Sequence, residues 1–322
     1  MRETRHKIKV LHVLGSLDRG GAETWLRHVL RHINHDQFQM DFLVHTAETG
    51  AYEDEAKALG AKVLRCLNSS NLLAYARQFR QVLRENGPYH VVHTHVHQYG
   101  GWPLTLARLS GVPIRVAHSH LDTEEVDQQA SLLRRLYFNV MKMLVASSAT
   151  HGLASSRHAA PSIFGKYWQD NPRNRIFYCA IDLKPFKMIR HHRADVRAEL
   201  NLALDAFVMG HVGRFFEQKN YAYLIEIAHS LKKHVPRARF LLVGDGPLRD
   251  QIEQQAAARD VSEMFVFAGL RDDVERLMSA MDVFVLPSLF EGLPLVGIEA
   301  QAAGLACIIS DTVTPEIQIV PE

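Results

Sequence analysis

Pro287-Ser-Leu-Phe-Glu291-Gly-Leu-Pro294-Leu-Val-Gly297-Ile-Glu299-Ala-Gln301, preceded by the apolar run Val283-Phe-Val-Leu286, is the stretch whose reading decides the fold. Four apolar residues closed by a proline read as a buried parallel strand. Glu291 to Pro294 then reads as a turn. Leu295 opens a helix that sets small residues (Gly297, Ala300, Ala302, Ala303) against a sheet. Pro294 suits the start of that helix, where a missing N–H costs nothing. The amides of Leu295 and Val296 are then expected to point outward at the positive end of the helix dipole, a ready anion site. Two carboxylates flank it, Glu291 on the loop and Glu299 about a turn into the helix. Carboxylates beside a bound phosphate would repel it, so these acids are expected to face neutral hydroxyls. A ligand with both phosphates and hydroxyls is a sugar nucleotide. Either acid alone would equally suit an exposed loop or helix surface; the pair in this frame carries the reading.

Working outward, strand and helix patterns alternate along the whole chain. In the first half, strand-like runs fall at residues 8–13, 40–45, 62–67, 90–95, 114–118 and 151–154, with helical patterns at 52–59, 72–85, 103–109 and 132–145. In the second half, strands are expected at 207–212, 240–243, 265–267, 283–286 and 306–309. The helices there fall at 221–234, 248–258 and 274–281, and after Pro294. Such alternation predicts an α/β chain of parallel, doubly wound sheets. A basic stretch poor in apolar periodicity, 183–193, separates the halves. The expected organisation is two Rossmann-like domains facing across a cleft: an acceptor-side domain over 1–182, a linker over 183–193, and a nucleotide-sugar donor domain over 194–322. Ligands bind such folds at the carboxyl ends of the strands.

Gly213-Arg214-Phe-Phe-Glu-Gln-Lys219 follows one of these strands and leads into a helix. A guanidinium fork and an ammonium at a strand's carboxyl end suit a diphosphate. The turn at 15–23 is glycine-rich but lacks dinucleotide-fingerprint spacing, so it gives no reason to expect NAD. Gly20 and Gly21 allow close backbone approach where a helix opens, although a plain β–α turn would read the same. Histidines are abundant, 19 in all, and His93-Thr-His95-Val-His97 and His118-Ser-His120 have metal-like spacing. No Asp or Glu sits among them, and Tyr99-Gly100-Gly101 ends the strand, so no metal is expected there.

Glu291, seven residues, then Glu299 resembles the signature of the retaining family 4 (group 1) glycosyltransferases of GT-B fold, in particular exopolysaccharide and capsule transferases. The resemblance implies that Glu299 holds the nucleotide ribose and Glu291 the donor sugar's hydroxyls. Backbone around Gly292, Leu293, Pro294, Leu295 and Val296 would contact sugar and diphosphate. It implies phosphate contacts from Gly213, Arg214 and Lys219, a loop from Arg271 to Val274 that reads the base through main-chain groups, and Gly21 on the opposite wall. His118 is similar to the family's histidine at the reaction centre; a structural histidine is the alternative. No cofactor or metal is implied: the donor substrate is a nucleotide-diphosphate sugar, with a UDP-sugar favoured. The acceptor is expected to be a saccharide, often lipid-linked. No carboxylate is clearly placed as a covalent nucleophile, so front-face attack is the expected course. A non-catalytic nucleotide-sugar-binding partner of a polysaccharide assembly is the rival reading; a GT-B epimerase or phosphorylase is a third.

The composition fits. At 322 residues, 47% hydrophobic and 22% charged, the chain is an ordinary globular one with room for two domains. Three scattered cysteines, Cys66, Cys179 and Cys307, form no disulfide framework and suit a reducing cytoplasm. Net charge is +2, yet residues 1–187 carry +8 and 188–322 carry −6. A basic first half suits peripheral contact with an anionic membrane, and no nucleic-acid motif accompanies it. The apolar helix expected at 132–145, with Arg134, Arg135 and Lys142, reads first as a core helix and second as one lying on a membrane. Two departures from the family pattern stand out. Cys179-Ala-Ile-Asp182 lacks the usual turn glycine, and the chain ends soon after 306–309, so the donor domain is expected to be shortened.

Overall fold

The computed structural model describes residues 7–320, with backbone alone at 188–191. The chain divides into two compact units, Met1–Cys179 and Ala180–Glu322. In the first, β1 (Ile8–Leu14), β2 (Phe38–Val44), β3 (Val63–Arg65), β4 (Val91–Thr94), β5 (Ile114–Ser119), β6 (His151–Ala154) and β7 (Asn174–Ile176) form one parallel sheet, in the order β3-β2-β1-β4-β5-β6-β7. In the second, β8 (Phe207–Val212), β9 (Ala238–Val243), β10 (Phe265–Gly269), β11 (Val283–Leu286) and β12 (Ala306–Ile309) form another, in the order β10-β9-β8-β11-β12. Both sheets are doubly wound. Each reverses its strand order once, between β1 and β4 and between β8 and β11, and such reversals open a crevice at the strands' carboxyl ends.

Alternation along each strand accounts for the layers. In the second unit Val208, Leu241, Phe284 and Leu286 pack into one core, and Met209, Phe240, Leu242 and Val285 into a second. A sheet covered on both faces needs near-continuous apolar strands, which is how these read in the sequence. In the first unit Leu11, Val13, Val92 and Ala117 meet Tyr75, Phe79 and Leu104.

Three expectations need revising. β7 was not anticipated: Asn174-Arg-Ile has a single apolar residue, and its place comes from pairing with β6, Gly152 opposite Asn174. The basic stretch at 183–193, expected as the linker, is helical. Lys184–His192 is a 3₁₀ segment and Arg193–Glu199 an α-helix, both inside the second unit. Arg197 explains why. Fully buried, it donates from Nε to Ala280 O at 3.0 Å, from Nη1 to Leu204 O at 2.7 Å, and from Nη2 to Asp282 Oδ2 at 2.8 Å. Asp282 also accepts from the amide of Val208 on β8 at 2.7 Å. Finally, the helix Leu132–Ser148 is core only in its second half, through Met141, Val145 and Ser148. Its first turns stand in solvent, with Leu132 81% and Leu133 82% exposed. Among the described residues no helix is long and apolar enough to cross a membrane.

Candidate active site

The reversal between β8 and β11 brings two loops side by side, residues 213–220 after β8 and 287–294 after β11. Side chains stitch them together. Lys219 Nζ donates to Glu291 Oε1 at 2.5 Å, and Gln218 Nε2 donates to Glu291 Oε2 at 3.1 Å and to Phe290 O at 3.0 Å. Leu289 N returns a bond to Gln218 O at 2.8 Å, and Asn220 Nδ2 donates to Pro287 O at 3.1 Å. Asn220 takes the left-handed conformation, φ 52°, which asparagine tolerates better than most residues. Glu291 is 5% exposed, so its charge is compensated by Lys219 and not by water.

Gly292, Leu293, Pro294 and Leu295 are buried, Val296 and Glu299 half-buried. Pro294 caps the helix Leu295–Ala302, and its carbonyl accepts from Gly297 N at 3.0 Å. Glu299 sits on the second turn of that helix. Gly213 packs against the Lys219 stem, whose carbons would lie 3.1–3.3 Å from any Cβ added there. Gly244, at φ +134°, passes so close that a Cβ would fall 2.0 Å from Gly213 O; only glycine fits. Arg214 is exposed, its guanidinium 4.7 Å over the Phe216 ring. Beyond this, Arg271 bonds Asp273 at 2.8 Å and Glu199 at 2.8 Å, so its side chain is committed to an ion-pair cluster. Any ligand contact from Arg271 and half-buried Val274 therefore falls to the backbone. The sequence missed Gln218 and the buried Ser288, whose Oγ has no partner among the described residues. Both are adjacent to motif residues, the one available signal.

The other two anticipated residues, Gly21 and His118, belong to the first unit. Gly21 opens the helix Gly21–His32, and a Cβ there would meet nothing within 4 Å. At the β1–β4 reversal the structure assembles what spacing alone did not show: His12, His93, His95, His118 and His120, drawn from β1, β4 and β5 and the turns that follow them. His118 is 1% exposed; its Nδ1 lies 3.2 Å from His93 Nε2, and Trp25 meets its ring edge-on at 5.4 Å. Burial, with neighbouring imidazoles adding to it, holds His118 well below the usual histidine range, so its ring is neutral.

Against known proteins, the chain is 37% identical over 311 residues to EpsF of Bacillus subtilis, named as a glycosyltransferase, covering 96% of this chain and 80% of that one. The chain belongs to the group 1 glycosyltransferases. Within this family, the description "Glycosyl transferase 4-like domain" matches residues 20–176 and "Glycosyl transferases group 1" residues 192–321. A second relative of this glycosyltransferase, 27% identical over 320 residues, is the Escherichia coli UDP-Gal:alpha-D-GlcNAc-diphosphoundecaprenol alpha-1,3-galactosyltransferase, with 97% of this chain and 81% of that one covered. Among solved structures, Anabaena HepE in complex with UDP and glucose superposes with a TM-score of 0.80 at 20% identity, over 98% of this chain and 83% of that one. The fold is GT-B.

Proposed function

We propose that this glycosyltransferase moves a sugar from a UDP-sugar, with retention, to a hydroxyl of a lipid-linked saccharide during polysaccharide synthesis. The observation that carries the reading is the Lys219–Glu291 pair at the β8–β11 reversal, beside the amino end of the helix Leu295–Ala302. A buried acid held by an ammonium next to a helix dipole suits a ligand that offers hydroxyls on one side and phosphates on the other. In this reading Glu291 and the backbone of Gly292 and Leu293 hold the donor sugar. Gly213, Arg214, Lys219 and the amides of Leu295 and Val296 take the diphosphate, and Glu299 takes the ribose. Main-chain groups from Arg271 to Val274 take the base. As the glycosidic bond breaks, charge builds on the departing diphosphate, and fixed donors stabilise it; each is worth about 3 kcal/mol, roughly a hundredfold in rate. The acceptor attacks the face the diphosphate leaves, and the leaving oxygen takes its proton. The family resemblance gives His118 and Gly21 a part in the same reaction. The relatives support the donor and acceptor classes: HepE forms a complex with UDP-glucose, and the E. coli enzyme is named for UDP-Gal and a GlcNAc-diphosphoundecaprenol.

A lipid-linked acceptor calls for a membrane-facing surface. Leu132, Leu133, Leu136 and Met143, at 61–82% exposed, supply one, with Arg134 and Arg135 alongside for anionic headgroups. The deciding experiment incubates the chain with UDP-, GDP- and ADP-sugars and lipid-linked acceptors, follows release of free nucleotide, and reads the product's anomeric configuration by NMR. Release confined to a UDP-sugar with an acceptor, and retained configuration, support the reading. An inverted product ends the retention proposal, and binding without turnover leaves only a nucleotide-sugar-binding role.

A further inference from the structure

The histidine cluster of the first unit offers a coordination set that transfer chemistry of the kind proposed above does not need. Two triads there have ring nitrogens within 4.8 Å of one another: His12, His93 and His95, and His95, His118 and His120. Hydrogen bonding separates the two. His12 Nδ1 faces His95 Nε2 at 3.1 Å, and His93 Nε2 faces His118 Nδ1 at 3.2 Å, so His12 and His93 spend those nitrogens on their neighbours. In the second triad these bonds leave over His95 Nδ1, 2.8 Å from His120 Nε2, and His118 Nε2. Among the described residues the last is buried with no partner, in a side chain 1% exposed, and an unpaired buried polar atom is costly.

We propose that His95 Nδ1, His118 Nε2 and His120 Nε2 form a zinc-class metal site, with His12 and His93 as the outer partners that fix the tautomers. If His95 binds through Nδ1, its Nε2–H donates to His12 Nδ1; if His118 binds through Nε2, its Nδ1–H donates to His93 Nε2. Both outer histidines then accept, and one consistent tautomer set results, as in metal sites whose ligands are oriented from behind. Ligand nitrogens in a tetrahedral site with bonds of about 2.0–2.1 Å stand roughly 3.3 Å apart, so the His95–His120 pair opens by about half an ångström. Three imidazoles and no carboxylate select zinc, cobalt, nickel or copper over magnesium and calcium. Burial keeps the ligands unprotonated at neutral pH, with His120 held down to about 3 and His95 well below the ordinary range. A zinc held by three protein ligands takes water or a small anion as its fourth. The proposal departs from the expectation of no metal, which rested on the absence of Asp or Glu among these histidines, on the strand ending at Tyr99-Gly100-Gly101, and on what the family resemblance implied.

The site has a consequence that rests on the proposed role of His118: metal on its Nε2 withdraws it from the transfer reaction, so zinc inhibits. The test uses the full chain without a polyhistidine tag. Zinc uptake is measured by elemental analysis after excess metal is removed, and cobalt is used as a spectroscopic probe. One equivalent of zinc, and the intense visible bands of four-coordinate cobalt, support the site. His95→Gln and His120→Gln should each abolish both, His93→Gln should weaken affinity 10–100-fold, and exposed His158→Gln should change nothing. Less than one equivalent in the unaltered chain, the pale spectrum of six-coordinate cobalt, or undiminished binding in folded His95→Gln overturns it. One equivalent bound without inhibition upholds the site and removes His118 from the reaction.

Discussion

Lys219 and Glu291 were each legible in the sequence, but not as partners. The motif put a cation five residues after Arg214 and an acid after β11; only the adjacency of β8 and β11 makes them a 2.5 Å pair. The pairing sets two expectations apart. Arg214 is exposed and stacks on Phe216, so Arg214→Ala should lower kcat about a hundredfold while stability stays within about 0.5 kcal/mol. Steady-state kinetics alongside urea unfolding would show this, and unchanged turnover would remove Arg214 from the leaving-group role. Lys219→Met should also slow turnover, and in addition it strands a buried carboxylate, for a loss of about 3–5 kcal/mol. Glu291→Gln in the same chain should recover much of that stability and none of the turnover. A stability loss that the second substitution does not relieve would mean the pair is not what holds the two loops. Glu299→Ala, from the second turn of its helix, should weaken UDP binding, measured by calorimetry, without altering the fold.

At the scale of elements, strands announced themselves wherever burial on both faces makes them continuously apolar. The runs at 207–212 and 283–286 coincide with β8 and β11. Elements placed by tertiary partners did not. β7 depends on β6, and the helix Arg193–Glu199 depends on Arg197, whose burial nothing in a basic stretch advertises. Arg197→Ala removes the buried donor to the carbonyls of Ala280 and Leu204, while Asp282 keeps Arg193 and the amide of Val208, and should cost about 1–3 kcal/mol in urea unfolding; a loss well under about 1 kcal/mol would make the network ornamental. The helix Leu132–Ser148 shows the opposite limit, since an apolar sequence cannot say which of its turns is covered. Four aliphatic side chains at 61–82% exposure do say it. Leu132→Ser with Leu133→Ser should abolish sedimentation with vesicles rich in anionic lipid and leave UDP binding as it was. If the doubly substituted chain still sediments, the membrane surface lies elsewhere.

For the molecule as a whole, the two sheets repeat one solution: reverse the strand order once, and gather polar side chains where the reversal opens the crevice. That much follows from alternating strand and helix patterns. What collects at each reversal does not, because it comes from strands far apart in sequence that become neighbours only in the folded sheet. Both units also bury neutral imidazoles. In the first, His45 bonds Tyr75 Oη at 3.0 Å; in the second, His211 Nδ1 donates to Val285 O at 2.8 Å with Lys219 nearby. Desolvation lowers His45 to about 4 and His211 to about 3, against 6.5 in an unfolded chain. Between those values the unfolded state binds protons the folded state refuses, so stability is full above pH 6.5 and falls as the pH drops below it. Each such histidine contributes a slope of about 1.4 kcal/mol per pH unit. Between about pH 7 and pH 5 His45→Gln and His211→Gln should therefore each lose about 2 kcal/mol less stability in urea unfolding than the unaltered chain. Parallel pH profiles would mean that these rings gain their protons while still folded.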